Sequence, residues 1–278
     1  MSYSTGLGIL NSYNRANKAY DRAMRAVATG KRINSAADDP AGLSISEKMK
    51  SQIRGLNQAA QNAQNGISLL NVAEGAMGEQ ENILHRIREL AVQAATDTNA
   101  TDDRDALQQE VNQLLDEINR ISSNTEFNSM KLIDGSRESK DGEDKALYLH
   151  VGANANQTIA VDIGEISTNS LGISEIDITT REGANAAIDA IDGAIKKTSS
   201  ERSKIGAYTN RLEFTISNLE TQAENLTAAE SRISDADMAQ AVMDLARASI
   251  QSQAAQAMLM QHMQRESLIL QLLNGLNG

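Results

Sequence analysis

The 278-residue chain sets 37 Asp and Glu against 26 Lys and Arg, for a net charge of −11, and contains no cysteine, no tryptophan and one proline. Such an acidic balance argues against nucleic acid or an anionic membrane as the main partner. The lack of cysteine excludes disulfides, thiolate catalysis and Cys-ligated zinc. With 40% hydrophobic but only 3% aromatic residues, the composition suits long helices packed by small and aliphatic side chains rather than an aromatic-rich core.

Residues 7 to 33 predict a weak helix. Gly6 and Gly8 each cost about 1 kcal/mol against alanine in a helix interior. The apolar positions are mostly alanine, with Leu7, Leu10, Tyr20, Met24 and Val27, and six basic side chains from Arg15 to Arg32 face a single Asp21. The one proline lies in "RINSAADDPAGLSISEKM", where Asp39 suits an N-cap and Pro40 the first helical position. Ser44 followed by Glu47 offers a second capping register. A break and restart is therefore expected at 34–44. Helix then continues to about Ala95, with Leu56, Ala63, Leu70, Met77, Leu84 and Ala91 at seven-residue spacing. Ile53, Ala60 and Ile67 give way to Glu74, Glu81 and Arg88 while Ile83, Ile87 and Leu90 enter, so the stripe is expected to drift around the helix. Some 50 helical residues span roughly 75–80 Å.

"TDTNATDDRD" breaks this helix, and Leu107, Val111, Leu114, Ile118 and Ile121 form the apolar seam of a second one, giving an antiparallel hairpin. "KLIDGS", "KALYLHVG" and "QTIAVDIG" alternate or carry β-branched runs between turn residues, which predicts short hairpins. From Gly183 helix resumes through Ile188, Ile191, Ile195, Ile205, Leu212, Ile216, Leu219, Ala223 and Leu226. After "ESRISDADMA" comes a last, soft helix rich in Ala, Gln, Met and Ser. Neither soft end buries enough apolar surface alone to offset its ordering entropy. Both are expected to stay disordered until a partner arrives, and each could be the other's. No apolar run of about 18 residues is present to span a bilayer, and "MSYSTGLGILNSYNRANKAYDR" lacks the features of a cleaved secretory signal.

No catalytic, cofactor or metal site emerges. His85, His150 and His262 are far apart in sequence with no metal-ligand spacing, and HExxH, P-loop, GxGxxG and GxSxG motifs are absent. Asp38–Asp39 reads as capping rather than as paired catalytic carboxylates. One stretch invites a recognition reading. In "LHRIRELAVQ", Arg86, Glu89, Leu90 and Gln93 fall at i, i+3, i+4, i+7 and share one face. Leu84, Ile87, Ala91 and Ala94 take the core side, which leaves Leu90 as an apolar residue on a polar face.

"ATGKRINSAADDPAGLSISEKMKSQIRGLNQAAQNAQNGISLLNVAEGAM" closely resembles the N-terminal region of bacterial flagellins. "LHRIRELAVQAA", "NTEFNSMKLIDG", "RLEFTISNLETQAENLTAAESRISDADMA" and "SQAAQAMLMQ" are similar to later segments of that family, in the right order. The resemblance implies a mainly α fold: a long coiled-coil-like helical rod formed by both chain halves, with a small β-hairpin region in the middle. The implied layout is an inner-core helix at 1–33, a connecting segment at 34–44, rod helices at 45–127, hairpins and a short central segment at 128–182, a rod helix at 183–230, and a connecting segment with inner-core helix at 231–278. The short middle matches a minimal form lacking outer domains. The implied function is a self-assembling extracellular flagellar filament subunit, exported without a cleaved signal peptide. Its implied partners are further copies of itself, the filament cap and hook-junction proteins, an export chaperone, and the animal innate immune receptor TLR5, with neither nucleic acid nor membrane. For TLR5 the family motif makes Arg86 and Leu90 central and Glu110 a supporting contact. The same face would serve contact within the filament. "MSYSTGLGIL" lacks the family's usual opening and "LLNGLNG" extends beyond its usual end. The alternatives are a hook–filament junction subunit, which matches the middle less well, and a coiled-coil signalling module, against which the β region counts.

Overall fold

The computed structural model describes residues 2–138 and 145–276, the side chains of 2–5, 270 and 272–276 excepted. The expectations on the opening and tail residues fall largely outside these described side chains. The elements run α1 (Ser2–Thr29), α2 (Pro40–Ala94), α3 (Thr101–Asn124), β1 (Glu126–Phe127), β2 (Met130–Lys131), β3 (Leu147–His150), β4 (Thr158–Val161), α4 (Thr168–Leu171), α5 (Arg181–Ser234) and α6 (Met238–Leu276). The fold is mainly helical, with two small two-stranded antiparallel sheets. The chain divides into two compact units, one of residues 1–53 and 224–278, the other of residues 54–223.

In the first unit α1 and α6 pack along each other. Their contact is made by small side chains: Ala16, Ala241, Ala248 and Ala255 are buried, and Ser252 Oγ donates to Asn17 Oδ1 at 2.6 Å. The connecting segments are joined by backbone: Arg32 N donates to Ser234 O at 2.7 Å and Ala236 N to Gly30 O at 2.9 Å. The Arg32 guanidinium adds a 2.6 Å bond to Ile233 O. Asp38 folds the loop between by accepting from the Ser35 hydroxyl at 2.9 Å and from the Ser35 amide at 3.0 Å. These bonds, the Ser35 hydroxyl foremost, hold the carboxyl below the usual carboxylate range.

α2 starts at Pro40 rather than at the Ser44 register. Asp39 Oδ1 accepts from Gly42 N at 2.9 Å, satisfying an otherwise orphaned donor of the first turn. Gly42 is needed there. A Cβ would fall against the Asp39 carboxylate and 2.7 Å from Ile33 Cδ1. Asp39→Ala should cost about 1 kcal/mol and speed hydrogen exchange at the Gly42 amide. Unchanged exchange would show that the cap contributes nothing.

In the second unit α2, α3 and α5 form the core. Arg88 Nε meets Asp192 Oδ1 at 2.6 Å, and Arg202 meets Glu81, which fixes α2 and α5 antiparallel. Leu56, Ala63, Leu70, Met77, Leu84 and Ala91 are all buried, and so are Ala59, Ala73, Gln80, Ile87 and Ala94 together with Gly66. The second seam position lies three residues after each of the first set, filled by Ala, Gly, Gln and Ile87; in the row Ile53, Ala60, Ile67, Glu74, Glu81 and Arg88 only Ile67 is buried. α5 answers with Ala184, Ala187, Ile191, Ala194, Thr198, Ile205, Leu212 and Leu219. Gln80 earns its buried place by donating to Ile118 O and Ile166 O, both at 3.1 Å.

α3 begins at Thr101, inside the stretch read as a break, where the Asp103 carboxylate accepts from Ala100 N at 3.1 Å. The first hairpin opens at Glu126, two residues before the expected boundary, and Asn128 and Ser129 both take the left-handed conformation (φ 50° and 64°) that a two-residue hairpin turn requires. In the second hairpin Ile159 and Val161 are buried. Leu149 of β3 sits against bare backbone at Gly66, where a Cβ would come within 2.5 Å of Leu149 Cδ1. The one-turn helix α4 was not expected; the Ser167 hydroxyl caps it by accepting from Ser170 N at 3.1 Å.

Candidate functional site

The face singled out in the sequence lies in the second unit, on the hairpin of α2 and α3. Arg86 reaches across to α3, where its Nη2 and Nε donate to Glu110 Oε1 at 2.8 and 3.0 Å. Its Nη1 donates to Glu89 Oε2 at 3.3 Å, one turn along α2. The Glu110 bonds, then those of Glu89, hold the guanidinium above its usual pKa. All three side chains are exposed, as is that of Gln93. An exposed network of this kind contributes at most about 1 kcal/mol to stability. It sets one cation between two anions on the surface of the α2–α3 hairpin.

Leu90 does not belong to this face. It is 1% exposed and part of the core. The reason is that α2 has two neighbours rather than one. Leu84, Ile87, Ala91 and Ala94 serve one seam, while Leu69 and Leu90, with the half-buried Ala76 and Ile83, form another stripe beside it. The structure therefore brings Arg86, Glu89 and Glu110 together, places Gln93 beyond them on the exposed side of α2, and removes Leu90. The apolar residue exposed next to Gln93 is Val92, which the sequence reading passed over. Asp39 and Pro40 belong to the first unit, at the start of α2.

Two other features were missed. Phe214 stands 79% exposed on α5, and nothing in its flanking pattern separates it from a half-buried helix residue. The first unit also leaves a run of large apolar side chains uncovered, among them Leu7, Ile250, Met263 and Leu268. Among the described residues no group of three His, Asp or Glu side chains could hold a metal ion, and no helix is long and apolar enough to cross a membrane.

The helical region that opens bacterial flagellins matches residues 3–138, and the one that closes them matches residues 188–273. The chain belongs to the bacterial flagellin family. It is 48% identical to a flagellin of Halalkalibacterium halodurans, over 91% of each chain. It is 43% identical to the flagellin of Bacillus subtilis, over 98% of this chain and all of that one. Among solved structures it resembles Bacillus cereus flagellin, with a TM-score of 0.50 and 34% identity over 61% of this chain and 94% of that one. Two flagellin relatives matched over at least 91% of each chain do not favour the junction-subunit alternative.

Proposed function

We propose that this flagellin is the structural subunit of the extracellular flagellar filament, a helical homopolymer whose inner layer is built from α1 and α6. The observation that carries this reading is the apolar surface of the first unit. α1 and α6 join through alanines, which bury little, and leave Ile250 67% and Leu7 64% exposed. An apolar surface of that extent marks an interaction site rather than a finished exterior. Further copies of the same helices supply the cover. The subunit acts outside the cell, with an export chaperone, cap and hook-junction proteins as its companions. The Arg86–Glu89–Glu110 network with Gln93 serves contact between subunits in the filament and recognition of the monomer by TLR5.

The test is to dissociate the purified protein in mild acid, return it to neutral pH and image it by electron microscopy. Long tubes of uniform diameter are expected. Short oligomers that never elongate would overturn the reading and favour a low-copy junction role.

A further inference from the structure

Sulfur is confined to methionine in this chain, which has ten methionines and no cysteine. Their burial differs between the two units. The second unit holds only Met77 and Met130; Met77 is fully buried, and Met130 packs half-buried against the core. In the first unit Met24 on α1 and Met238, Met243, Met258, Met260 and Met263 on α6 are each 44–55% exposed. The side of α6 that meets α1 is taken by Ala241, Ala248 and Ala255. The α6 methionines therefore lie off that seam, among the Leu and Ile side chains that the first unit leaves uncovered.

We infer that these six methionines are a site of oxidative modification that controls polymerisation of the free subunit. The oxidant is a peroxide of the hydrogen peroxide class. The thioether sulfur attacks one peroxide oxygen, and the S–O bond forms as the O–O bond breaks. The departing oxygen takes up the proton of the attacked one and leaves as water, so the sulfur is oxidised to the sulfoxide and the peroxide is reduced. Half-exposed thioethers are open to so small a reagent, whereas Met77 is sealed in the core, which makes the reaction selective for the first unit. The product is a polar, chiral group where a flexible apolar one stood. An apolar surface that must be covered on assembly then has sulfoxides to desolvate within it. None of the six is in a packed core, so the subunit itself keeps its fold. Leucine would present as much apolar surface on an equally good helix, but it is inert to peroxide; methionine makes the surface both pliant and oxidisable. The inference rests on the filament reading and adds a direction to it. Free subunits are vulnerable and subunits already assembled are shielded, so an oxidant stops growth without dissolving the tubes.

The test treats purified monomer with hydrogen peroxide and locates the sulfoxides by peptide mass spectrometry. Met24 and the five α6 methionines should be oxidised well before Met77, with the monomer's melting temperature unchanged. The critical concentration for polymerisation should rise at least about tenfold, and the two stereospecific methionine sulfoxide reductases together should restore it. Preformed wild-type filaments given the same dose should carry severalfold less sulfoxide at these positions. Met24→Leu combined with the same change at the five α6 methionines nearly conserves volume, and this variant should polymerise equally before and after peroxide. Should it fail to assemble untreated, the reductase arm on the wild type decides alone. Unchanged polymerisation of monomer oxidised at all six positions, inhibition that the reductases do not reverse, inhibition of the leucine variant by peroxide, or filaments oxidised as fast as monomer would each overturn the inference while leaving the filament reading intact. Failure of the untreated wild type to form tubes would instead bring down that reading and this site with it.

Discussion

Leu90→Asp should strongly destabilise the second unit. Leu90 is 1% exposed within the cluster that joins α2 to its neighbours. An aspartate there loses the leucine's buried contacts and leaves a carboxylate out of water with no partner. Each of these effects costs several kcal/mol when it occurs in a core, and we expect a combined loss of about 4 kcal/mol or more, a large share of the roughly 5–15 kcal/mol that holds a domain together. The melting temperature should fall by about 10 °C or more. Leu90→Met, which keeps the volume, should cost under about 1.5 kcal/mol. An unchanged melting temperature for Leu90→Asp would put the side chain back on the surface. Arg86→Ala is the contrasting variant. Its partners are exposed, so stability should change by no more than about 1 kcal/mol, while TLR5 signalling by the monomer falls. Full signalling from the alanine variant would remove the network from receptor recognition. The pair therefore separates a residue that holds the fold from one that faces a partner.

Removal of residues 237–278 should abolish polymerisation while the helices of residues 54–223 persist. All of α6 lies in the first unit. Without it α1 loses its alanine seam and becomes an isolated helix interrupted by Gly6 and Gly8, which is marginal in water. The truncation also deletes Ile250, Met258, Met263 and Leu268, all exposed in the subunit. Covering even three such side chains on assembly is worth about 5 kcal/mol, more than a thousandfold in an association constant. Circular dichroism should register the loss of little more helix than α1 and α6 themselves. Normal tubes from the truncated protein would refute the idea that these helices build the inner layer.

Much of the helical plan was legible because proline and apolar periodicity are local signals. Asp39 and Pro40 mark the start of α2 through chemistry confined to four residues. Leu56 through Ala91 betray one seam because large side chains recur every seven positions. What escaped notice has a physical cause. The companion seam of α2 is written in Ala59, Gly66, Ala73 and Gln80, residues that bury well only because neighbouring elements come close, Leu149 of β3 at Gly66 and the carbonyls of Ile118 and Ile166 at Gln80, and no hydropathy pattern distinguishes them from surface positions. Leu90 was misplaced for a related reason. A helix wedged against two neighbours needs apolar residues over a wider arc than a single stripe, and the width of that arc depends on where α3 packs. The β1 hairpin and α4 depend on left-handed residues and a serine cap, each a signal one residue long. Glu110 entered the sequence reading through the family resemblance alone, and it meets Arg86 because α2 and α3 form a hairpin. Phe214 carried no sequence signal at all, since exposure is a property of what fails to pack on it.

The backbone bridge between the connecting segments orders the events of folding. Arg32 meets Ile233 across 201 positions of chain. Closing so long a loop in a random coil costs roughly 5 kcal/mol of entropy, too much for two bonds and a guanidinium contact to repay. Once residues 54–223 have folded, α2 and α5 already lie together near Leu56 and Leu219, both of which line one groove. The loop left to close is then a few tens of residues, and each end is tethered. The bridge is a latch that sets only on a finished hinge. A chain lacking its C-terminal residues cannot set it, so α1 and α6, the helices we propose to polymerise, are expected to be the last parts of the molecule to order.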